Sequence, residues 1–313
     1  MSPEQLFPAM AAPQNARGIP RDTMLQYYTR WFPLDFFDRL LTHADPDAFP
    51  WTHREISFTF AGESGEHEYS RNLWFDGSTD LKRALSRRVP VKLDIGAVNS
   101  MCVRYRTMAG YKPVLRELVF DIDVSDYDRQ CCANPKTACA RCWRYAACAV
   151  EVLDHLLRAR LGFRKLLWVF SGRRGVHCWV MDRKAAPLGR NSRSFVLAWL
   201  ASYDARDGTA IDACMRWFID IFERHPRSAE EAVQALWPRL DEAVTRTPSH
   251  LIKAPFCVHP GTGKLCLAFQ AHEVAKFDFD KVPTVQQIVN DSAGARRALQ
   301  ESKESALRTL ASL

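Results

Sequence analysis

One eight-residue run constrains this chain more than any other: Glu117-Leu-Val-Phe-Asp-Ile-Asp-Val124. It alternates with the period of two that defines a strand. Leu118, Phe120, Ile122 and Val124 point one way, and Val119, Asp121 and Asp123 point the other. A face that apolar must lie on a buried sheet. The opposite face then carries two carboxylates two residues apart, within reach of one pair of cations. Charges so close repel, and burial raises the cost. A bound Mg²⁺ or Mn²⁺ removes the conflict, and two such ions about 3.5–4 Å apart can activate a hydroxyl and stabilise a leaving pyrophosphate oxygen. Asp-x-Asp also occurs at strand ends whose aspartates face water, so the motif alone leaves both readings open.

A second motif, Ser171-Gly-Arg-Arg-Gly-Val-His177, lies between two strand-like runs. Gly172 and Gly175 allow a sharp turn and a close approach to a ligand. Arg173 and Arg174 offer planar, bidentate donors for phosphate oxygens. Ser171 and His177 add a hydroxyl and a ring nitrogen. Alone, this reads better as an exposed Arg-bearing turn; beside a metal-holding strand it reads as a triphosphate clamp.

Ten cysteines are present. Six, at positions 102, 148, 178, 214, 257 and 266, lie mostly in apolar stretches and behave as small hydrophobes. The other four, Cys131, Cys132, Cys139 and Cys142, fall within twelve residues. They can close a tetrahedron around Zn²⁺, and four thiolates leave no open position for water, so the expected role is structural. Asn134, Pro135 and Lys136 suit the tight loop between them.

The remaining pattern is a mixed α/β one with antiparallel hairpins. Helices are expected over 21–31, 34–43, Asp80–Arg88 (capped near Ser78) and about Trp143–Arg160, ending at Gly162. Strands are expected over His53–Phe60, Tyr69–Phe75 and Pro90–Val98. One hairpin should span Leu166–Val180 around Ser171–Gly175, and a second Phe256–Phe269 around Gly261-Thr-Gly263. Residues 190–245 are helical in composition, and 284–313 should form one or two amphipathic helices. The domain plan is a loose arm over 1–19, a catalytic domain over 20–285 and a helical tail over 286–313.

A net charge of +7 fits a polyanionic partner, though many inert surfaces carry as much. No apolar run reaches the ~18 residues of a membrane span, and no signal-peptide pattern is evident. A cytosolic or nuclear protein with no membrane partner is expected.

These motifs, in this order, resemble the small catalytic subunit of the archaeal and eukaryotic DNA primases, the eukaryotic version above all. The resemblance rests on Glu117-Leu-Val-Phe-Asp-Ile-Asp-Val-Ser-Asp-Tyr-Asp128 and Trp168-Val-Phe-Ser-Gly-Arg-Arg-Gly-Val-His-Cys-Trp179, and runs from about residue 24 to 285. It implies the primase fold: mixed, largely antiparallel sheets flanked by helices, with a small helical subdomain and the zinc loop at 131–142. It also implies further site residues. Trp237-Pro-Arg-Leu-Asp241 resembles the segment holding the third catalytic aspartate, giving that role to Asp241. His250-Leu-Ile-Lys-Ala-Pro-Phe-Cys-Val-His259 resembles a nucleotide-binding stretch, which places Lys253, His259 and His250 near the triphosphate with Ser171, Arg173, Arg174 and His177. Lys92-Leu-Asp-Ile-Gly-Ala97 resembles an element in which Asp94 approaches the sugar. Glu55, in His53-Arg-Glu-Ile-Ser-Phe58, matches an active-site glutamate. Each also fits a plainer reading: Lys253 and His259 as polar hairpin surface, Asp241 as a solvated helix residue. One departure is a short helical stretch over 187–236, where eukaryotic members carry a longer insertion.

The activity so implied is template-directed synthesis of RNA primers from ribonucleoside triphosphates on single-stranded DNA. Asp121, Asp123 and Asp241 would hold two Mg²⁺ or Mn²⁺ ions. Implied partners are a large primase subunit with an iron–sulfur cluster and, in eukaryotes, the DNA polymerase α complex in the nucleus; otherwise the location is the cytoplasm. Two rivals are a primase-polymerase that extends with deoxynucleotides, and an inactive, zinc-containing nucleic-acid-binding or assembly subunit.

Overall fold

The computed structural model describes residues 19–61, 67–129, 131, 132, 134, 138–202 and 207–311. The expected arm therefore lies outside the described residues except for Ile19, as do Pro135 and Lys136 of the cysteine loop. The chain divides into two compact units, one of Met1–Arg116, Pro248–Leu267 and Val282–Leu313, the other of Glu117–Thr247 and Ala268–Lys281.

The first unit begins with helices α1 (Arg21–Arg30) and α2 (Leu34–Thr42), strands β1 (Arg54–Ala61) and β2 (His67–Leu73), helix α3 (Ser78–Arg88), and strands β3 (Lys92–Asn99) and β4 (Pro113–Leu115). The second holds β5 (Leu118–Asp123), α4 (Ala140–His155), β6 (Leu166–Phe170), β7 (Gly175–Val180), α5 (Arg190–Ser202), α6 (Gly208–Phe222), α7 (Ala229–Leu236) and α8 (Glu242–Arg246). Strand β8 (Ile252–Lys253) returns to the first unit and β9 (Ala268–Phe269) belongs to the second. Helices α9 (Val285–Val289) and α10 (Ala293–Leu310) complete the first.

Both sheets are antiparallel. In the first unit the order is β2-β1-β3-β4, with β8 also paired to β3. Helices α1 and α2 bury Tyr27, Tyr28, Phe36 and Phe37. Their two buried tyrosine hydroxyls donate to the carbonyls of Phe256 at 2.7 Å and Pro90 at 2.8 Å. In the second unit the order is β5-β7-β6-β9. Trp168, Trp179, Phe120 and Phe170 fill its core, each burial contributing roughly 1.5–3 kcal/mol. Helix α4 packs on α6 and ends in a wider π turn over Leu156–Arg160. Gly162, at φ +67°, stops it as its position implied.

The mixed α/β class, the first hairpin and the β5 strand match the sequence expectations. Three details differ. Helix α3 starts at Ser78 itself and has no side-chain cap; the Ser78 hydroxyl instead donates to Asp38 Oδ2 at 2.6 Å. Strand β4 was not expected, being short and led by Pro113. The second expected hairpin is not a strand pair. Its two arms meet at a single bridge, Val258 with Leu265, plus bonds such as His259 N–H to Lys264 O at 2.8 Å. Pro255 and Pro260 lack the N–H a ladder needs, and Phe256 turns the chain at φ +61°. Its last residues, Ala268 and Phe269, pair with β6 instead.

Candidate active site

The second unit gathers the acidic strand, the arginine loop and Asp241. On β5, Phe120 and Ile122 are fully buried, while Asp121 and Asp123 retain 29% and 34% side-chain exposure. The alternation thus puts both carboxylates on the open face. Register fixes what lies opposite: Asp121 pairs with His177 and Asp123 with Gly175. His177 Nε2 lies 3.6 Å from Asp121 Oδ1.

The loop between β6 and β7 is held by its own serine. Ser171 N–H donates to Gly175 O at 2.9 Å, and Gly175 N–H returns to Ser171 Oγ at 3.0 Å. Gly172 adopts φ +89°. At Gly175 a Cβ would sit 2.4 Å from the Ile122 carbonyl, so only glycine lets β5 and β7 approach this closely. The turn directs Arg174 back to β5, where its Nε donates to Asp123 Oδ1 at 2.7 Å. Ser125 donates twice to the same oxygen, through N–H and Oγ, both at 2.8 Å. Burial would raise the Asp123 carboxyl, but these bonds from Arg174 and Ser125 outweigh it and hold it below the ordinary aspartate value. Arg173 is half-buried on the same loop.

Asp241 reaches this site through its backbone. Its N–H donates to the Asp121 carbonyl at 3.0 Å, and its carboxylate caps α8 by accepting from Ala243 N–H at 3.0 Å. Two buried side chains hold this region on β5. Thr245 Oγ1 donates to Val119 O at 2.7 Å, and Arg193 Nη1 on α5 donates both to Thr245 O at 3.4 Å and to Glu117 O, just before β5, at 3.2 Å. Arg239 acts as a clamp that sequence reading did not single out. It donates to the Asp126 carbonyl, pairs with Asp128 at 3.3 Å and lies over the Tyr127 ring at 5.1 Å. Asp126 is raised by burial and by the charges of Asp123 and Asp241, which marks the local excess of negative charge.

This oxygen-only donor set suits hard divalent cations such as Mg²⁺ or Mn²⁺. Every contact of Asp123 falls on Oδ1, which leaves Oδ2 for an ion. Among the described residues, Cys131, Cys132, Cys139 and Cys142 are the one group of three or more ligand-type side chains whose ligand atoms all lie within 4.8 Å. Cys142 Sγ is 3.2, 3.4 and 3.7 Å from the sulfurs of Cys131, Cys132 and Cys139. A tetrahedral Zn²⁺ with about 2.3 Å bonds sets its sulfurs about 3.8 Å apart, so the cluster fits with small adjustment. Burial and the neighbouring thiols push Cys131 up to about 12. At Cys139 burial also raises the thiol, but N–H groups of Cys142 and Arg141 and the adjacent thiols bring it down to about 7.

The other predicted residues lie in the first unit. Glu55 on β1 is buried and accepts from Arg71 Nε and Nη2 at 3.2 and 3.1 Å. Arg71 was missed in the sequence. It precedes Asn72, which sits at φ +58° where the β1–β2 register shifts, and such a bulge redirects a side chain. Asp94 on β3 is buried and pairs with Lys92 Nζ at 2.9 Å. Lys253 on β8 lies opposite Asp94 in the register. His259 closes its turn by accepting from Gly261 N–H on Nδ1 at 3.1 Å. His250 is half-buried just before β8.

The family model described as DNA primase small subunit matches residues 120–271. The DNA primase small subunit of Drosophila melanogaster is 32% identical, covering 87% of this chain and 82% of its own. That of Schizosaccharomyces pombe is 27% identical, covering 88% and 78%. Among solved structures, the polymerase domain of Mycobacterium tuberculosis ligase D in complex with DNA is similar at a TM-score of 0.48 and 14% identity, covering 94% of this chain and all of that one.

Proposed function

The chain belongs to the DNA primase small-subunit family, and we propose on that premise that it joins ribonucleoside triphosphates into short RNA primers on single-stranded DNA. Membership makes it a nucleotidyltransferase that synthesises primers. In our reading the 3′-hydroxyl of one ribonucleotide attacks the α-phosphate of the next, and pyrophosphate leaves.

The observation that carries the reading is Arg174. Its Nε is committed to Asp123, which leaves Nη1 and Nη2 for phosphate oxygens. One guanidinium therefore ties the acidic strand to the place where a triphosphate would lie. Arg173, Ser171 and His177 add donors from the same turn and the strand after it, an electrostatic role toward the charge that develops on the leaving group. Asp121, Asp123 and Asp241 would hold divalent cations, which when bound lower the pKa of the attacking hydroxyl and stabilise the leaving oxygen. We assign Glu55, Asp94, His250, Lys253 and His259 to the nucleotide by family resemblance. Zn²⁺ on the four thiols would have a structural role.

A small subunit implies a complex. We infer a large primase subunit carrying an iron–sulfur cluster and, in a eukaryotic cell, the DNA polymerase α complex, with the nucleus as the location. The S. pombe and Drosophila relatives support the eukaryotic setting.

The test is Arg174→Ala, with Arg174→Lys as its companion, assayed for dinucleotide formation on a single-stranded template. Removing one such donor should lower kcat/KM by about 100-fold, and lysine should restore little, since it lacks the second pair of planar donors. Full activity in Arg174→Ala would remove the clamp from the account. Faster extension with deoxynucleotides than with ribonucleotides would move the product from primer RNA to DNA.

A further inference from the structure

In the first unit, the connection between β3 and β4 forms a surface that the proposed chemistry does not use. Residues 100–115 contain Arg104, Arg106 and Lys112 and no Asp or Glu. All three cations are exposed, and among the described residues none forms an ion pair. Arg104 instead lies over the Tyr105 ring at 5.0 Å. Tyr105, Met108 and Val114 are 43%, 57% and 40% exposed. They are three of the six exposed large apolar side chains among the described residues. Water contact at that density is unfavourable unless something covers it.

The segment is closed and internally bonded. Ser100 N–H donates to Lys112 O at 2.9 Å, and Ser100 Oγ donates to Gly110 O at 2.9 Å. Inside that clasp, Tyr105 N–H bonds Cys102 O at 2.9 Å, Met108 N–H bonds Tyr105 O at 2.8 Å, and Tyr111 N–H bonds Met108 O at 3.2 Å. Val103 is fully buried and anchors the turn. A platform built in advance loses little conformational entropy when it binds.

We propose that this segment docks single-stranded nucleic acid, Tyr105 and Met108 taking unpaired bases and Arg104, Arg106 and Lys112 taking phosphates. A purely apolar patch would suit another protein chain. Three cations with no carboxylate in the segment favour a polyanion, and apolar side chains between the cations favour one with open bases. A duplex hides its base faces and would use only the charge. The inference rests on the reading that the substrate includes a single-stranded template.

The experiment uses the full chain and fluorescence anisotropy with a labelled oligothymidylate of about 20 nucleotides, and a duplex of the same length as control. Arg106→Ala with Lys112→Ala should weaken single-strand binding about tenfold and reduce the slope of log K against log salt by about 1.4, or about 0.7 per phosphate neutralised. Tyr105→Ala should weaken single-strand binding about tenfold and spare the duplex, while Tyr105→Phe retains binding. In primer synthesis the template KM should rise while kcat at saturating template stays unchanged. Single-strand affinity and salt slope equal to the parent chain in both alanine variants would overturn the platform. An equal weakening on duplex and single strand in Tyr105→Ala would overturn the stacking role. If the parent chain binds as described but makes no primers, the product reading fails and the platform stands.

Discussion

The backbone N–H of Asp241 donates to the carbonyl of Asp121 at 3.0 Å. This bond ties the start of α8 to the backbone of β5, although the carboxylates of Asp121, Asp123 and Asp241 do not all lie within 4.8 Å of one another. It also gives Asp241 two separable jobs, since its side chain caps α8 through Ala243 N–H.

Asp241→Asn should separate those jobs. Asparagine caps as well as aspartate, so thermal stability should change little, while dinucleotide formation falls at least about 100-fold when a charged group is removed from the reacting centre. Asp241→Ala should show the same fall in activity and also lose about 1 kcal/mol of stability. Calorimetry beside the activity assay reads both. An active Asp241→Asn would make this residue a cap only.

Gly175→Ala should damage the site without touching a charge. Its Cβ would meet the Ile122 carbonyl at 2.4 Å, so β5 and β7 must part where Asp123 faces Gly175, two residues from the Asp121–His177 pair. The expected destabilisation is about 1–3 kcal/mol, the usual range for overpacking, with a larger proportional fall in activity. A variant equal to the parent in both respects would show that the strands yield freely.

The thiol cluster should behave as a metal site in the full chain. Mass spectrometry should find bound zinc, and Cys139→Ser with Cys142→Ser should release it and lower the melting temperature. Zinc retained in the double variant would remove both residues as ligands.

Asp207 gives a pH-dependence prediction. Its side chain is 1% exposed, accepts from Arg160 Nε at 2.7 Å and His155 Nε2 at 3.0 Å, and caps α6 through Ala210 N–H at 3.1 Å. Burial would raise its carboxyl, but Arg160, the Ala210 N–H and His155 together hold it at about 2, against an ordinary 3.8. A depressed folded-state value means the carboxylate contributes full stability above about 3.8 and loses it as pH falls through about 2. Asp207→Asn should flatten that stretch of the stability–pH curve and cost about 1–2 kcal/mol at neutral pH. An unchanged acid limb would mean the ion pairs do not hold in solution.

What the sequence made legible follows physical locality. Strand β5 could be read because alternation is a local signal, and both aspartates fall on the face it assigned. The arginine hairpin was equally local, set by Gly172 and Gly175. Asp241 was reachable only through family resemblance, because its tie to Asp121 is a tertiary bond with no periodic trace. Arg239 and Arg71 gave no signal either; each matters through partners distant in the chain. Phe256–Phe269 read as a hairpin from its Gly-Thr-Gly turn, but Pro255 and Pro260 remove two donors from the ladder. The interleaving of two units along one chain is likewise invisible to a window of neighbouring residues.

Asp121 and Asp123 are the residues we assign to hold the cations for nucleotidyl transfer. The most direct measurement is the initial rate of dinucleotide formation on a single-stranded template, titrated with Mn²⁺ and with Mg²⁺, for the parent chain and for Asp121→Asn with Asp123→Asn. The parent should show saturable metal dependence, and the variant a rate at least about 1000-fold lower at every metal concentration, with its fold intact by circular dichroism. A folded variant that makes dinucleotides at the parent's rate would contradict that assignment.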